Sequence, residues 1–483
     1  MSPWKGHIDF RISRRQTRIP VLCRAIGDNV DVDLDGAEGW WWLPGGDPQF
    51  GRVSLKAHEP WRLDVFGGTG DAELSTAAVL HGQLLEHYGP TRSLTLFDLV
   101  RTKESNSFGG SLREVRTESW VFQSVVRGCA TIDGDERVER ARAGLSNMIE
   151  WIRCPRPQVV WAAERSTSEV RRTDLGSADV AGATISLVLD HQGFERRSEA
   201  VLRQTAYYEI VPDQPLLPGT VMDEFVTPLR ALQSFLTLGY VAAETTRLAF
   251  DGHKVGDKTV WAELFTHWQE PIRPPKAPLA HDMLATWPSL NMTPAVLLSN
   301  WFSSFETLER VISMLLLPDH ATYLYADDHV LTAFLAVEEY HDHRIGGTSV
   351  SPEEHQLRVD AVVAAAPHEH RVWARETLAG KNQKGQRKKV AEVVERAGAT
   401  GQAVLDAVPQ FKNLAVAARQ RVAHPGSGGG AEQLAVATGL RWVLRHCVLL
   451  DIGVEEHRAA ELIRDCRRFE IDLQQMAIWT RGD

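Results

Sequence analysis

Arg419 and His424 stand five residues apart in the run Ala418-Arg419-Gln420-Arg421-Val422-Ala423-His424-Pro425-Gly426. A guanidinium keeps its charge, and its planar fork fits the oxygens of a phosphate. An imidazole titrates near neutral pH, so it can take up a proton and return it. Together they make a minimal metal-free kit for cleaving RNA, because RNA brings its own nucleophile, the 2′-hydroxyl.

The elements around the pair must place it. Phe411, Leu414, Ala415, Ala418 and Val422 recur at helical spacing and predict an amphipathic helix, with Arg419 on the flank of its apolar stripe. Pro425 disfavours helical geometry at the residue before it, so the helix is expected to end near His424. Gly426, Gly428, Gly429 and Gly430 then give a loop, and Ala431 opens the next helical pattern. At a helix C-terminus the negative end of the dipole favours the protonated imidazole. One geometric difficulty follows. Residues five apart on a helix point roughly 140° away from each other, at ~100° per residue. Arg419 and His424 converge only if the last turn unwinds or if two copies of the motif meet across a dimer, and the dimer is the arrangement expected.

Spacing alone is a weak signal. Arg441 and His446 repeat it in mid-helix, where no terminus tunes the histidine, and Arg52 with His58 nearly repeats it in a strand-like region. The plain alternative for Arg419 and His424 is a solvated arginine beside a capping histidine.

A resemblance adds weight to the chemical reading. The Arg-x(4)-His run at a helix end, inside a terminal helical domain, resembles the motif of the HEPN (higher eukaryotes and prokaryotes nucleotide-binding) ribonuclease family. That family usually carries asparagine directly after the arginine; Gln420 keeps the amide on a longer reach. Phe334-Leu335-Ala336-Val337-Glu338-Glu339-Tyr340-His341 is similar to the core helix of the ApeA-like branch. Gly39-Trp40-Trp41-Trp42-Leu43-Pro44, then Gly51 and Val53-Ser54-Leu55, then Leu94-Thr95-Leu96-Phe97-Asp98, resemble the N-terminal domain of ApeA-type anti-phage defence proteins. The resemblance implies a metal-independent endoribonuclease of abortive infection that needs no cofactor. It also implies a homodimer with two motifs in one cleft and products ending in a 2′,3′-cyclic phosphate. The substrate would be RNA, with tRNA a candidate. In this reading Arg419 holds the scissile phosphate, His424 moves a proton, Glu338 orients the arginine and Gln420 supports it. The β-rich half would sense a phage-derived trigger or keep the nuclease quiet.

Bulk properties bound the alternatives. A chain of 483 residues is long enough for two or three domains and a substantial core. A formal charge of −10 argues against a general nucleic-acid coat, so RNA binding is expected to be local. No apolar run is long enough to span a bilayer, and Met1 to Pro20 has no apolar core of a secretory signal. Cys23, Cys129, Cys154, Cys447 and Cys466 form no CxxC pair; their odd number suits a reducing cytoplasm and speaks against zinc.

Along the chain, residues up to about Pro215 read mainly as strands. Val30 to Leu34, Val53 to Leu55, Arg62 to Val65, Leu94 to Phe97, Trp120 to Phe122, Thr184 to Leu189 and Tyr207 to Val211 carry the pattern, with Gly-Pro punctuation at Leu43 to Gly46 and Gly67 to Gly70. Short strands separated by turns predict an antiparallel sandwich or barrel-like domain. Among them Ala141 to Ile152 reads as one helix, with Leu145, Met148 and Ile152 on a face. Thr220 to Gly239 is a buried apolar helix with Pro228 near its start, and Thr246 to Phe250 with Thr259 to Phe265 a hairpin around Asp251-Gly252. The prolines at 271, 274, 275 and 278 mark the boundary. Residues 1–278 form the β-rich N-terminal domain, with a helical and hairpin extension at 220–268. Residues 279–483 form an all-helical bundle, with helices over Leu298 to Leu315, Val330 to His343, Glu353 to Ala365, Lys389 to Ala397, the Arg419 segment, Leu434 to Leu450 and Glu455 to Ile478. The fold class is therefore α+β.

Other constellations weigh less. Glu339 and His343 would share a helical face but lack a third ligand and the HExxH order, so no metal is expected. His368-Glu369-His370 reads as surface. Lys381, Lys384, Arg387, Lys388 and Lys389 form a basic run suited to a phosphate backbone, although such runs are commonly just solvated; Lys384, Arg387, Lys388 and Lys389 are the RNA contacts expected. Three successive tryptophans offer a stacking surface for bases, or, more simply, alternate packing in a sheet. No phosphate-binding loop, dinucleotide fingerprint or nucleophile elbow is present. A second function class stays open: a catalytically silent RNA- or protein-binding dimerisation module, towards which Gln420 and the acidic balance lean.

Overall fold

The computed structural model describes residues 6–10, 34–56, 59–67, 76–85, 93–108, 114–128, 135–153, 159–161, 166–170, 172–196, 199–266, 278–321, 324–423 and 430–481. The chain divides into two compact units, residues 1–280 with 286–299 and residues 281–285 with 300–483.

In the first unit, β1 (Gly6–Phe10) joins a small three-stranded sheet with two later strands. Six antiparallel strands follow: β2 (Glu38–Trp42), β3 (Gln49–Ser54), β4 (Arg62–Phe66), β5 (Thr76–Leu84), β6 (Ser93–Phe108) and β7 (Glu114–Val121). The order β6-β5-β2-β3-β4-β7 returns to β6, which is long enough to pair with β5 over Ser93 to Val100 and with β7 from Val100 onwards. The ring closes, so of the two architectures expected the barrel is the one seen. Period-2 alternation fills it: Trp41, Val53, Leu63, Val65, Leu80, Leu96 and Trp120 are fully buried. Trp41 points inward while Trp40 is 44 % exposed. The inward ring fits because Gly82 faces it; a Cβ there would lie 2.3 Å from the indole.

From the barrel the sheet runs on through β8 (Ser124–Arg127), which pairs with β6 over Leu94 to Phe97. Next come β9 (Val138–Leu145), α1 (Met148–Ile152), and β10 (Val159–Trp161) with β11 (Ser166–Val170), the partners of β1. The helix expected over Ala141 to Ile152 is wrong in its first half. Ala141, Ala143 and Leu145 alternate inward, and β9 is hydrogen-bonded on both edges; only Met148 to Ile152 winds up. Sheet pairing outweighed a three-point helical match. β12 (Thr173–Val180), β13 (Ala183–Arg196) and β14 (Glu199–Pro212) complete that end.

The apolar helix is present as α2 (Pro218–Val221), one π-helical turn over Met222–Val226, and α3 (Thr227–Thr237). The π turn sits where Pro228 has no N–H to give, and the Thr227 N–H reaches back to the Met222 carbonyl. β15 (Ala243–Phe250) and β18 (Ala262–Thr266) pair as expected, with a small hairpin of β16 (Lys254–Val255) and β17 (Lys258–Thr259) between them. A short helix, α4 (Trp287–Leu290), follows.

The second unit is helical: α5 (Pro294–His320, whose first turn belongs to the first unit), α6 (Ala326–Arg344), α7 (Pro352–Ala365), α8 (Arg371–Ala379), α9 (Gln386–Arg396), α10 (Gly398–Ala407), α11 (Phe411–Ala423), α12 (Gly430–Asp451), α13 (Glu456–Asp465) and α14 (Arg467–Trp479). The helix expected over Glu455 to Ile478 is two helices, broken at Cys466, which is extended and buried. Its successor's N–H, at Arg467, donates to the His281 carbonyl instead of continuing the helix. α12 is the axis of the bundle, buried on nearly every side from Gln433 to Leu449. Gly439 lets α11 and α14 close on it; a Cβ there would lie 2.5 Å from the Phe411 ring and 2.8 Å from Met476.

Candidate active site

α11 presents the motif. Phe411, Ala415 and Ala418 are fully buried and form its inward stripe. At ~100° per residue, Arg419 and Arg421 fall on opposite edges of that stripe and Gln420 on the outer back. Burial agrees: Arg419 and Arg421 are half-buried and Gln420 is exposed. The Nε of Arg419 is buried and has no hydrogen-bond partner among the described residues. An arginine donor desolvated yet uncommitted is costly to keep, which is the condition of a group held for a ligand. α11 runs to Ala423, as Pro425 requires; His424 itself lies outside the described residues.

Beyond residue 429 the chain enters α12 beside the start of α6. An added Cβ on Gly430 would lie 3.9 Å from that of Ala326. The two helices run parallel: Gln433 Nε2 donates to Asp327 Oδ1 at 2.6 Å, Arg441 Nη1 approaches His329 Nδ1 at 2.9 Å, and Arg344 Nε lies 3.6 Å from Asp451 Oδ2. Two positive helix ends therefore stand side by side where the motif segment ends, a field that favours an anion. Arg421 on α11 and Glu432 in the first turn of α12 form an ion pair across the six residues 424–429. Reading the sequence for arginine and histidine passed over this pair. Its signal was there, as opposite charges at the two mouths of a glycine loop.

The other expected residues fall as follows. Glu338 is half-buried on α6 and makes no hydrogen bond to Arg419 among the described residues. Its neighbour Glu339 pairs with Arg310 at 3.6 Å and with His343 at 3.5 Å. No group of three metal-ligating side chains exists among the described residues. The basic run divides. Arg387 and Lys388 are exposed. Lys384 Nζ donates to Glu392 Oε2 at 2.7 Å and to the Gly346 carbonyl at 2.8 Å, and Lys389 Nζ to Asp342 at 2.5 Å. The fully buried His341 joins the same network, with Nε2 2.7 Å from Glu392. The Lys384 hydrogen bond, followed by that of His341, holds the Glu392 carboxyl below the usual range. This network fixes the 380s loop to α6, so half of the expected RNA contacts are committed to the fold.

The look-alike pair is something else. Arg441 is 7 % exposed, and burial, with the Arg445 guanidinium next, pushes it down to about 9. His446 is fully buried with Nδ1 2.8 Å from the Thr400 hydroxyl, and burial pushes it down to about 4. A histidine neutral throughout the working range is no proton shuttle at the surface. A stability consequence follows, with its sign. The folded pKa is depressed, so between pH 6.5 and about 4 the unfolded chain binds the proton and the fold does not. Stability contributed by His446 is present above pH 6.5 and is lost as pH falls towards 4, by about 3 kcal/mol in all. Urea unfolding of wild type and His446→Leu across that range is expected to show a flatter pH slope in the variant; equal slopes would refute it.

Comparison with known families gives the context of this geometry. ApeA N-terminal domain 1 matches residues 37–301, and Apea-like HEPN matches residues 331–458. This chain belongs to the ApeA-like HEPN family. No curated protein and no solved structure matches it. The HEPN match spans α6 to the start of α13 and so contains Arg419, Arg421, Glu432 and the buried arginines of α12. The two domains make the ApeA-like protein an anti-phage defence module of the HEPN type, a class whose members are generally nucleases that bind RNA and dimerise. Among the described residues no helix is long and apolar enough to cross a membrane.

Proposed function

We propose that this ApeA-like HEPN protein is a metal-independent endoribonuclease of abortive infection, acting in the cytoplasm as a homodimer on RNA, tRNA being a candidate. The observation that carries the reading is the half-buried Arg419, whose Nε has no partner, on the edge of α11 beside two converging positive helix ends. Arg419 binds a non-bridging oxygen of the scissile phosphate and offsets the charge that grows there. The 2′-oxygen attacks phosphorus, the bond to the 5′-oxygen breaks, and a 2′,3′-cyclic phosphate is left. One His424 takes the 2′-hydroxyl proton, and the partner copy's histidine protonates the leaving 5′-oxygen. Gln420 and Glu338 support the site, the latter by orienting the arginine, and the exposed Arg387 and Lys388 guide the strand together with Lys384 and Lys389. The 1–278 domain answers a phage-derived trigger, and the 279–483 domain cuts.

The test is RNA cleavage in EDTA by wild type, Arg419→Ala and His424→Ala. Cyclic-phosphate ends from wild type, and none from either variant, are expected; cleavage retained in both would end the assignment. A silent RNA- or protein-binding dimer is the second reading, favoured by an exposed Gln420 where the family carries asparagine. It expects RNA shifted but uncut, and equal toxicity of wild type and Arg419→Ala on expression.

A further inference from the structure

We propose that the Arg421–Glu432 ion pair, together with the Gln433–Asp327 hydrogen bond, is a positioning device that fixes the segment 424–429, and with it His424, relative to Arg419. The proposal rests on the nuclease reading above.

Its ground is the placement of four described side chains. Arg421 lies in the last turn of α11 and Glu432 in the first turn of α12, so their ion pair ties the two ends of the segment together. Gln433 Nε2 donates to Asp327 Oδ1 at 2.6 Å and thereby bolts the first turn of α12 to the first turn of α6. The three helix ends that meet at the motif are thus cross-linked in series, α11 to α12 to α6. Both partners of the ion pair are sheltered, with side chains 27 % and 28 % exposed, so it is screened less than a surface pair. Arg421 sits on the opposite edge of the α11 stripe from Arg419, so the clamp does not draw on the guanidinium assigned to phosphate. Asp327 and Glu432 also place negative charge at two helix N-termini, where the dipole stabilises them. Without the clamp a six-residue segment with four glycines between residues 426 and 430 would have wide conformational freedom, and a misplacement of the proton shuttle by about 1 Å can cost on the order of 100-fold.

The experiment uses the full chain and two readouts. Arg421→Gln, Glu432→Gln, Arg421→Glu, Glu432→Arg and the charge-swapped double variant are compared with wild type and Arg419→Ala. Hydrogen exchange of peptides spanning residues 424–429 is measured beside the kcat and KM of RNA cleavage. Each single variant is expected to speed exchange in that segment while α12 stays protected, and to lower kcat about tenfold or more with KM within about twofold. The double swap is expected to regain slow exchange and most of kcat. Unchanged exchange in the single variants overturns the proposal. So does faster exchange with kcat intact while Arg419→Ala is inactive, because the clamp would then be structural only. If wild type and Arg419→Ala cut RNA equally, or neither does, the nuclease reading itself has failed, and the positioning role falls with it.

Discussion

Arg419→Lys is expected to cleave RNA about 100-fold more slowly than wild type, nearly as slowly as Arg419→Ala, although it keeps the charge. The reason lies in how the side chain is held. Arg419 leaves α11 at the edge of its buried stripe, and its Nε is already out of water without a partner. A guanidinium placed in that way offers a rigid fork to two phosphate oxygens, and its orientation is set before RNA arrives. Lysine supplies one strongly hydrated point charge on a flexible stem, and its ammonium would have to be stripped of water at the same place. The loss is expected in the single-turnover rate rather than in RNA affinity, since most of the phosphate attraction is retained. Melting temperatures of the two variants should match that of wild type, because no hydrogen bond of the fold is removed. A rate for Arg419→Lys within about threefold of wild type would show that only net positive charge is needed, and the fork argument would be wrong.

Much of this site was legible because the motif is local. Phe411, Ala415 and Ala418 fix the face of α11, Pro425 fixes its end, and both can be read without knowing any partner helix. The barrel strands were legible for the same reason: Leu63 and Val65, or Trp41 between its neighbours, alternate within one strand. What escaped depends on residues far apart in the chain. Ala141 to Leu145 became a strand because β14 and β15 lie on either side of it. Closure of the barrel depends on β6 being long enough to serve two neighbours, a matter of pairing rather than pattern. Lys384 and Lys389 read as a solvated basic run, but Glu392 and Asp342, one of them 47 residues away, had claimed them. The helices α8 and α10 were passed over. α8 leaves Val372 and Trp373 70 % and 66 % exposed, so burial gives it little apolar periodicity. The arginines of α12 taught the same lesson in reverse. Their spacing looked catalytic, and only burial revealed them as part of the core.

That buried charge makes the largest stability effect expected here. Asp319→Ala should destabilise the helical unit by about 3–5 kcal/mol. The Asp319 carboxylate is 6 % exposed and is the anion nearest two guanidiniums, with Arg445 Nη2 at 3.4 Å and Arg468 Nη2 at 3.5 Å. Arg445 is as deeply buried as its partner and also stacks over Trp442, 4.9 Å from the ring centroid. Burial pushes Arg445 down, and Asp319 is the first group that opposes the push. One turn earlier on the same helix, Arg441 is held down by burial and by Arg445, again with Asp319 opposing. Removing the carboxylate would leave this guanidinium pair in a dry interior without its main counter-charge. A desolvated ion pair need not stabilise a fold against an apolar replacement of similar volume, whereas half of one is always costly. The double variant Asp319→Leu with Arg445→Met is therefore expected to recover most of the loss, and urea unfolding midpoints measure both. A single-variant loss below about 1 kcal/mol would mean that water or Asp472 already compensates the arginines. A double variant no more stable than Asp319→Ala would mean that the site was held by the shape of the side chains and not by their charge.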